Sequence, residues 1–168
     1  MGGSGGGGVP SDNFKNLEER AKQELKQASD GEISRHVFIS FAFEDVDEVN
    51  LLRGQAKNEK TDLQFDDYSV KEAFDSTNAD YIKRQIREKL DRTSVTLVYL
   101  SNNCANSEWV NWEIEESIRR GKRVIGLYKG DVPPTSVPRA FAENRCKSVK
   151  WNHEDLTKAI ADATKNRP

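Results

Sequence analysis

Cysteine and histidine are scarce in this chain. Its 168 residues contain two of each, Cys104 and Cys146, His36 and His153. No CxxC pair exists and the two cysteines are far apart, so they read as idle thiols of a reduced compartment, not as a disulfide framework. Structural zinc takes four nitrogen or sulfur ligands, and no such set is spaced here. An excess of one charge is also missing. The chain has 26 Lys and Arg against 28 Asp and Glu, a net charge of −2. That balance gives no bulk attraction to nucleic acid or to an anionic membrane. The longest apolar runs, such as VTLVYL (Val95 to Leu100), are strand-sized, whereas a helix needs roughly 20 apolar residues to cross a bilayer. MGGSGGGGVP has neither a basic n-region nor an apolar h-region, so it is not a secretory signal. These absences point to a soluble, cytoplasmic protein with no nucleic-acid or membrane partner. Beyond the Gly-rich residues 1–10, three motifs are missing too. Without GxGxxG, a Walker lysine or GxSxG, neither a Rossmann-type dinucleotide fold, nor a P-loop, nor a Ser-His-Asp hydrolase is supported.

The chain divides by composition. Residues 1–10 form a Gly-rich tail or tag. In residues 11–34, Phe14, Leu17, Ala21 and Leu25 recur at helical spacing behind Ser11 and Asp12, which predicts an accessory helix with a thin apolar stripe. Residues 35–168 alternate strand and helix patterns. HVFISF (His36 to Phe41) is a continuous apolar run, as in a strand covered on both faces. A helix is predicted over Glu44 to Ala56, a short strand over Thr61 to Asp67, and a helix over Ala79 to Asp91 with Ile82, Ile86 and Leu90 on one face. VTLVYL is the third strand, and a helix opens after Ser107. Strands over Arg123 to Gly130 and Lys147 to Trp151 enclose a proline-rich loop, GDVPPTSVPR. A last helix runs from Glu154 to Thr164. The alternation predicts an α/β flavodoxin-like three-layer sandwich on a five-stranded parallel sheet. Such folds bind ligands outside the carboxyl ends of the strands, at the switch point beside the first and third.

Three places at that edge could carry chemistry. In SEWVNWEIEESIRRG (Ser107 to Gly121), Val110, Ile114 and Ile118 form the apolar stripe. At about 100° per residue Glu113 falls about 60° outside it, one turn after Trp109. It is either a surface glutamate favoured near a helix N-terminus, like Glu108, Glu115 and Glu116, or a carboxylate set against an indole at the edge of the core. Asp66-Asp67-Tyr68, at the end of the second strand, could hold a sugar hydroxyl or a magnesium ion, or be an ordinary acidic turn. The loop Ser40-Phe41-Ala42-Phe43 runs into a helix whose N-terminus could receive phosphate. A phosphorylatable receiver would need an aspartate after the third strand, where SNNCAN has none.

The pattern resembles a family. HVFISFAFED resembles the first box of TIR (Toll/interleukin-1 receptor) domains. SNNCANSEWVNWEIEESI resembles the TIR segment in which a serine, a tryptophan and, four residues later, a glutamate open the third helix. FDDYSVKEAFDS, RTSVTLVYLS and RRGKRVIGLY look closer to the bacterial TIR-like branch that includes the signalling component of Thoeris antiviral systems. The match covers about residues 35–151, and it lacks the RDxxPG-type box of receptor adaptors. By this resemblance Glu113 is catalytic in an NAD+ glycohydrolase or ADP-ribosyl cyclase. The loop Ser40, Phe41, Ala42 and Phe43 would contact phosphate and ribose. Asp66, Asp67, Tyr68, Ser101 and Trp109 would complete the substrate cleft. NAD+ is then a substrate, and no cofactor or metal is implied. The partners would be another copy or a trigger protein, and an effector reached through the nucleotide product. The alternatives are a non-catalytic TIR-like interaction module and, more remotely, a nucleoside deoxyribosyltransferase-type enzyme.

Overall fold

The computed structural model describes residues 15–23, 36–58, 63–68 and 72–165. The Gly-rich tail and most of the predicted accessory segment lie outside them. Within that segment residues 15–23 are helical (α1) and exposed, Leu17 and Ala21 included. Phe14 and Leu25 fall outside the described residues.

Five strands form one sheet: β1 (His36–Ser40), β2 (Gln64–Asp66), β3 (Val95–Leu100), β4 (Arg123–Tyr128) and β5 (Lys147–Lys150). All pairings are parallel and the order is β2-β1-β3-β4-β5. This is the flavodoxin-like order predicted from the alternation. Consecutive β-branched and aliphatic residues suit β1 and β3 because both faces are covered and alternate residues enter different cores. Val37, Ile39, Val95, Leu97 and Tyr99 pack with α2 (Val46–Asn58) and α6 (His153–Lys165). Phe38 packs with α3 (Ala79–Asp91). Val98 and Leu100 pack with α4 (Glu108–Arg119) and α5 (Arg139–Glu143).

The differences from the sequence expectations are local. The helix predicted from Glu44 begins as a 3-10 turn, Phe43–Asp45, and becomes α-helical at Val46. In that turn Asp45 is buried, and it accepts hydrogen bonds from the Ser101 hydroxyl and, at 2.9 Å, from Asn103 Nδ2. A helix of five residues, α5, follows the proline-rich loop and lies outside the expected elements. Its Phe141 sits against β4 so closely that a Cβ at Gly126 would come within 2.6 Å of its ring. Glycine is required there by proximity. Helix α6 is capped by Asn152, whose Oδ1 accepts the Asp155 amide at 2.7 Å.

Candidate active site

The first turn of α4 is set by Ser107, whose hydroxyl accepts the Val110 amide at 3.2 Å, an N-cap. Val110 and Ile114 face the core fully buried. Further along, the Ser117 hydroxyl donates to the Glu113 carbonyl at 2.7 Å and lies 2.9 Å from Thr96 Oγ1. A buried polar relay thus fixes α4 against the central strand β3.

Glu113 is only 3% exposed, deeper than the core edge that the helical wheel predicts. Beside it on the same helix, Trp109 and Trp112 pack with Phe38, Ile82 and Ile86 of the neighbouring layer. The carboxyl stands near Ser40 of β1 and Asp67 beyond β2. Burial pushes its pKa up to about 8; the Ser40 hydroxyl opposes the shift and the charge of Asp67 adds to it. Although Ser40 is near enough to favour the ionised form, neither Ser40 Oγ nor Glu113 Oε2 completes a hydrogen bond. An incompletely paired carboxyl in the interior is costly, so the fold itself gives no reason for a glutamate here.

Glu113 lines a cavity of about 290 Å³ together with Phe41, Phe43, Tyr68 and Trp109. Glu44, Asn103, Asn106 and Ser107 complete its lining. The cavity lies where the loops after β1 and β3 diverge, and the Asp45 hydrogen bonds tie those two loops together. Trp109 is held in orientation: Nε1 donates to the Glu72 carbonyl at 2.9 Å, and its ring meets Phe74 edge-on at 4.9 Å. Glu72 in turn accepts from Ser76 Oγ at 3.2 Å and Asn78 Nδ2 at 3.1 Å, and Lys83 Nζ lies 4.4 Å above the Phe74 ring.

Of the residues singled out from the sequence, Glu113, Phe41, Phe43, Tyr68 and Trp109 share this cavity. Ser40 is buried beside the carboxyl. The remaining four have other surroundings. Ala42 is buried in the core with Val98 and Leu100. Ser101 donates to Asp45. Asp66 pairs with His36 at 3.0 Å and Asp67 pairs with Arg53. Both acids are therefore engaged with basic side chains of the fold. No group of three or more His, Cys, Asp or Glu side chains among the described residues is arranged to hold a metal ion. Glu44, Asn103 and Asn106 carry no motif that marks them; only their place after β1 and β3 could have found them. Ser107 was visible as part of the serine–tryptophan–glutamate spacing.

Glu116 departs from its sequence reading as a surface acid. It is 3% exposed and takes Arg87 Nε at 3.0 Å, Arg119 Nη1 at 2.6 Å and Arg120 Nε at 3.2 Å.

Residues 38–133, more than half of the chain, match the profile of the family described as Thoeris protein ThsB, TIR-like domain. This chain belongs to that family. The matched segment contains every residue that lines the cavity. The ThsB1 protein of Bacillus cereus (strain MSX-D12), whose name proposes a cyclic ADP-D-ribose synthase, is 33% identical to this ThsB-family chain over 100 residues. That alignment covers 57% of this chain and 52% of the relative, so the chain spans about half the length of the curated protein it matches. The TIR domain of the Toll-related receptor TRR-2 from Hydra magnipapillata shares the fold. It superposes with a TM-score of 0.51 over 77% of this chain and 98% of that domain, at 16% identity. No helix among the described residues is long and apolar enough to cross a membrane.

Proposed function

We propose that this ThsB-family domain cleaves the nicotinamide–ribose bond of NAD+. The product is ADP-ribose or a cyclic ADP-ribose-type nucleotide, which signals to a separate effector in antiviral defence. One observation carries the reading: a buried carboxyl with an unpaired oxygen lines an aromatic-walled cavity at the β1–β3 switch point. The name of the B. cereus relative favours the same chemistry.

The reaction suits a single carboxylate. Nicotinamide leaves with the electron pair of the C–N bond, which neutralises its own ring, so no acid has to protonate it. The ribosyl carbon is left with oxocarbenium character, and the Glu113 carboxylate is the group that stabilises this charge. Attack by water gives ADP-ribose and a proton; attack by a nucleophile of the same molecule gives a cyclic isomer and a proton. NAD+ is consumed as substrate, and the step needs no further cofactor. A cavity of about 290 Å³ lies at the low end of the roughly 300–1,000 Å³ of ligand pockets. It suits the nicotinamide–ribose end, with the adenylate lying outward past Phe43, which is 45% exposed. Trp109 and Tyr68 offer faces and edges for the nicotinamide ring. With its pKa near 8, Glu113 is largely protonated in the free domain at neutral pH. The cationic ring of NAD+ brings in a charge that favours loss of that proton.

The test is incubation of the full chain with NAD+, with and without Glu113→Gln, with nicotinamide and nucleotide products followed by mass spectrometry. Dilute and crowded conditions are compared, because self-association or a trigger protein is the proposed route to activation. Nicotinamide release by the wild type and its loss in the variant are expected. No turnover by the crowded, triggered wild type would overturn the enzyme in favour of a TIR-like interaction module. Turnover that survives Glu113→Gln would overturn the site.

A further inference from the structure

A second cavity, of about 540 Å³, opens at the opposite end of the sheet, where β4 and β5 begin and α4 and α6 end. It is well inside the size range of ligand pockets, roughly 300–1,000 Å³. Part of its lining is apolar, including Ile118, Val124, Val149 and Ala163. Four cations also line it, Lys122, Arg123, Arg145 and Lys147, against one carboxylate, Asp162. Arg145 and Lys147 form no ion pair among the described residues. Both lie beyond residues 38–133, the segment that matches the family profile.

The backbone supplies a second observation. Helices α4 and α5 end in the same reverse turn. After α4, the Gly121 amide donates to Ile118 and the Lys122 amide to Ser117, each at 2.9 Å, with Gly121 at φ 73°. After α5, the Arg145 amide donates to Ala142 and the Cys146 amide to Phe141, each at 3.1 Å, with Arg145 at φ 51°. This left-handed position favours glycine, and at α4 the chain has one. At α5 it has an arginine, the one non-glycine residue with positive φ among the described residues. A side chain there is strained. A helix of five residues has too little macrodipole to call for a cation at its end. The strained arginine lines the cavity instead.

We infer that this cavity binds a small nucleoside phosphate. The apolar part of the lining takes the base and sugar, and Arg145 and Lys147 take the phosphate, backed by Lys122 and Arg123. Charge-assisted bonds from a guanidinium and an ammonium suit a phosphate, whereas inorganic phosphate alone would leave the apolar lining uncovered. The inference does not depend on the chemistry at Glu113.

The test is calorimetric titration of the full chain with AMP, GMP, CMP and UMP, beside adenosine and inorganic phosphate. Saturable binding of at least one nucleotide is expected, tighter than adenosine or phosphate. Arg145→Gly and Lys147→Glu should each weaken it about tenfold or more, and Glu113→Gln should leave it unchanged. Arg145→Gly should melt no lower than the wild type, since glycine relieves the strain, so its loss of affinity cannot be misfolding. The inference is overturned if none of the four nucleotides binds saturably, or if adenosine binds as tightly. It is also overturned if affinity persists in both cation variants, or if it is lost in Glu113→Gln, which would place the ligand in the other cavity.

Discussion

Glu113 and Glu116 lie about one turn apart on α4 and both are 3% exposed. Their carboxyls nevertheless titrate in opposite directions. Burial pushes Glu113 up to about 8, with only the Ser40 hydroxyl opposing it. Burial also pushes Glu116 up, but hydrogen bonds from Arg87 and Arg120 and the nearby charges of Arg87 and Arg119 outweigh it and hold Glu116 below its ordinary value. One acid is saturated with partners and joins α3 to α4; the other has an oxygen with no partner and faces a cavity. Burial alone therefore does not distinguish a structural carboxylate from a functional one. The count of partners separates these two, and the proposed role falls to the one that is short of them.

The comparison is tested most severely by Glu113→Gln, which should cost about 100-fold or more in NAD+ turnover, measured as nicotinamide release. The same variant should be more stable than the wild type at pH 8.5, by roughly 2–4 kcal/mol in denaturant unfolding. Glu116→Gln should do the reverse. It leaves three arginines around a neutral group, and because they are 41%, 68% and 26% exposed the loss should be about 1–3 kcal/mol, with turnover reduced only through stability.

The pH dependence of stability should separate the two acids further. Between the ordinary carboxyl value and about 8, the unfolded chain has released the Glu113 proton while the folded chain keeps it. The wild type should therefore lose stability as pH rises through that window and level off above it, a slope absent from Glu113→Gln. Glu116 has the opposite sign. Its contribution is present above the ordinary value and is lost as pH falls toward the lowered folded value, so Glu116→Gln should flatten the acid side. Melting curves from pH 2 to pH 9 would read both slopes. The smallest effect belongs to Trp109→Phe. It removes the bond to the Glu72 carbonyl and should cost about 1 kcal/mol, with faster amide exchange in residues 72–78 as its signature.

Much of the fold was legible because periodicity is a local property. The spacing of Ile82, Ile86 and Leu90 bounds α3 as Ala79–Asp91, and VTLVYL bounds β3 as Val95–Leu100, both as observed. What was not legible depended on partners distant in sequence. A helical wheel of α4 cannot show that Glu113 is buried near Ser40 and Asp67, or that Arg87, 29 residues away, holds Glu116. Helix α5 was hidden because five residues are too few for a period to register and prolines precede them. Asp66 and Asp67 were legible as acids at a strand end, but their pairing with His36 and Arg53 was not.

The relay from Thr96 through Ser117 to the Glu113 carbonyl has a bearing on regulation. It anchors the backbone of that residue to the middle of the sheet, the part of the molecule least able to shift. A switch that works by sliding α4 would have to break buried hydrogen bonds on the central strand. Trp109, across the cavity lining, meets Glu72 and Phe74 through one hydrogen bond and one ring contact. The carboxylate is thus a fixed post, while the indole beside it in the cavity lining is held from outside the sheet.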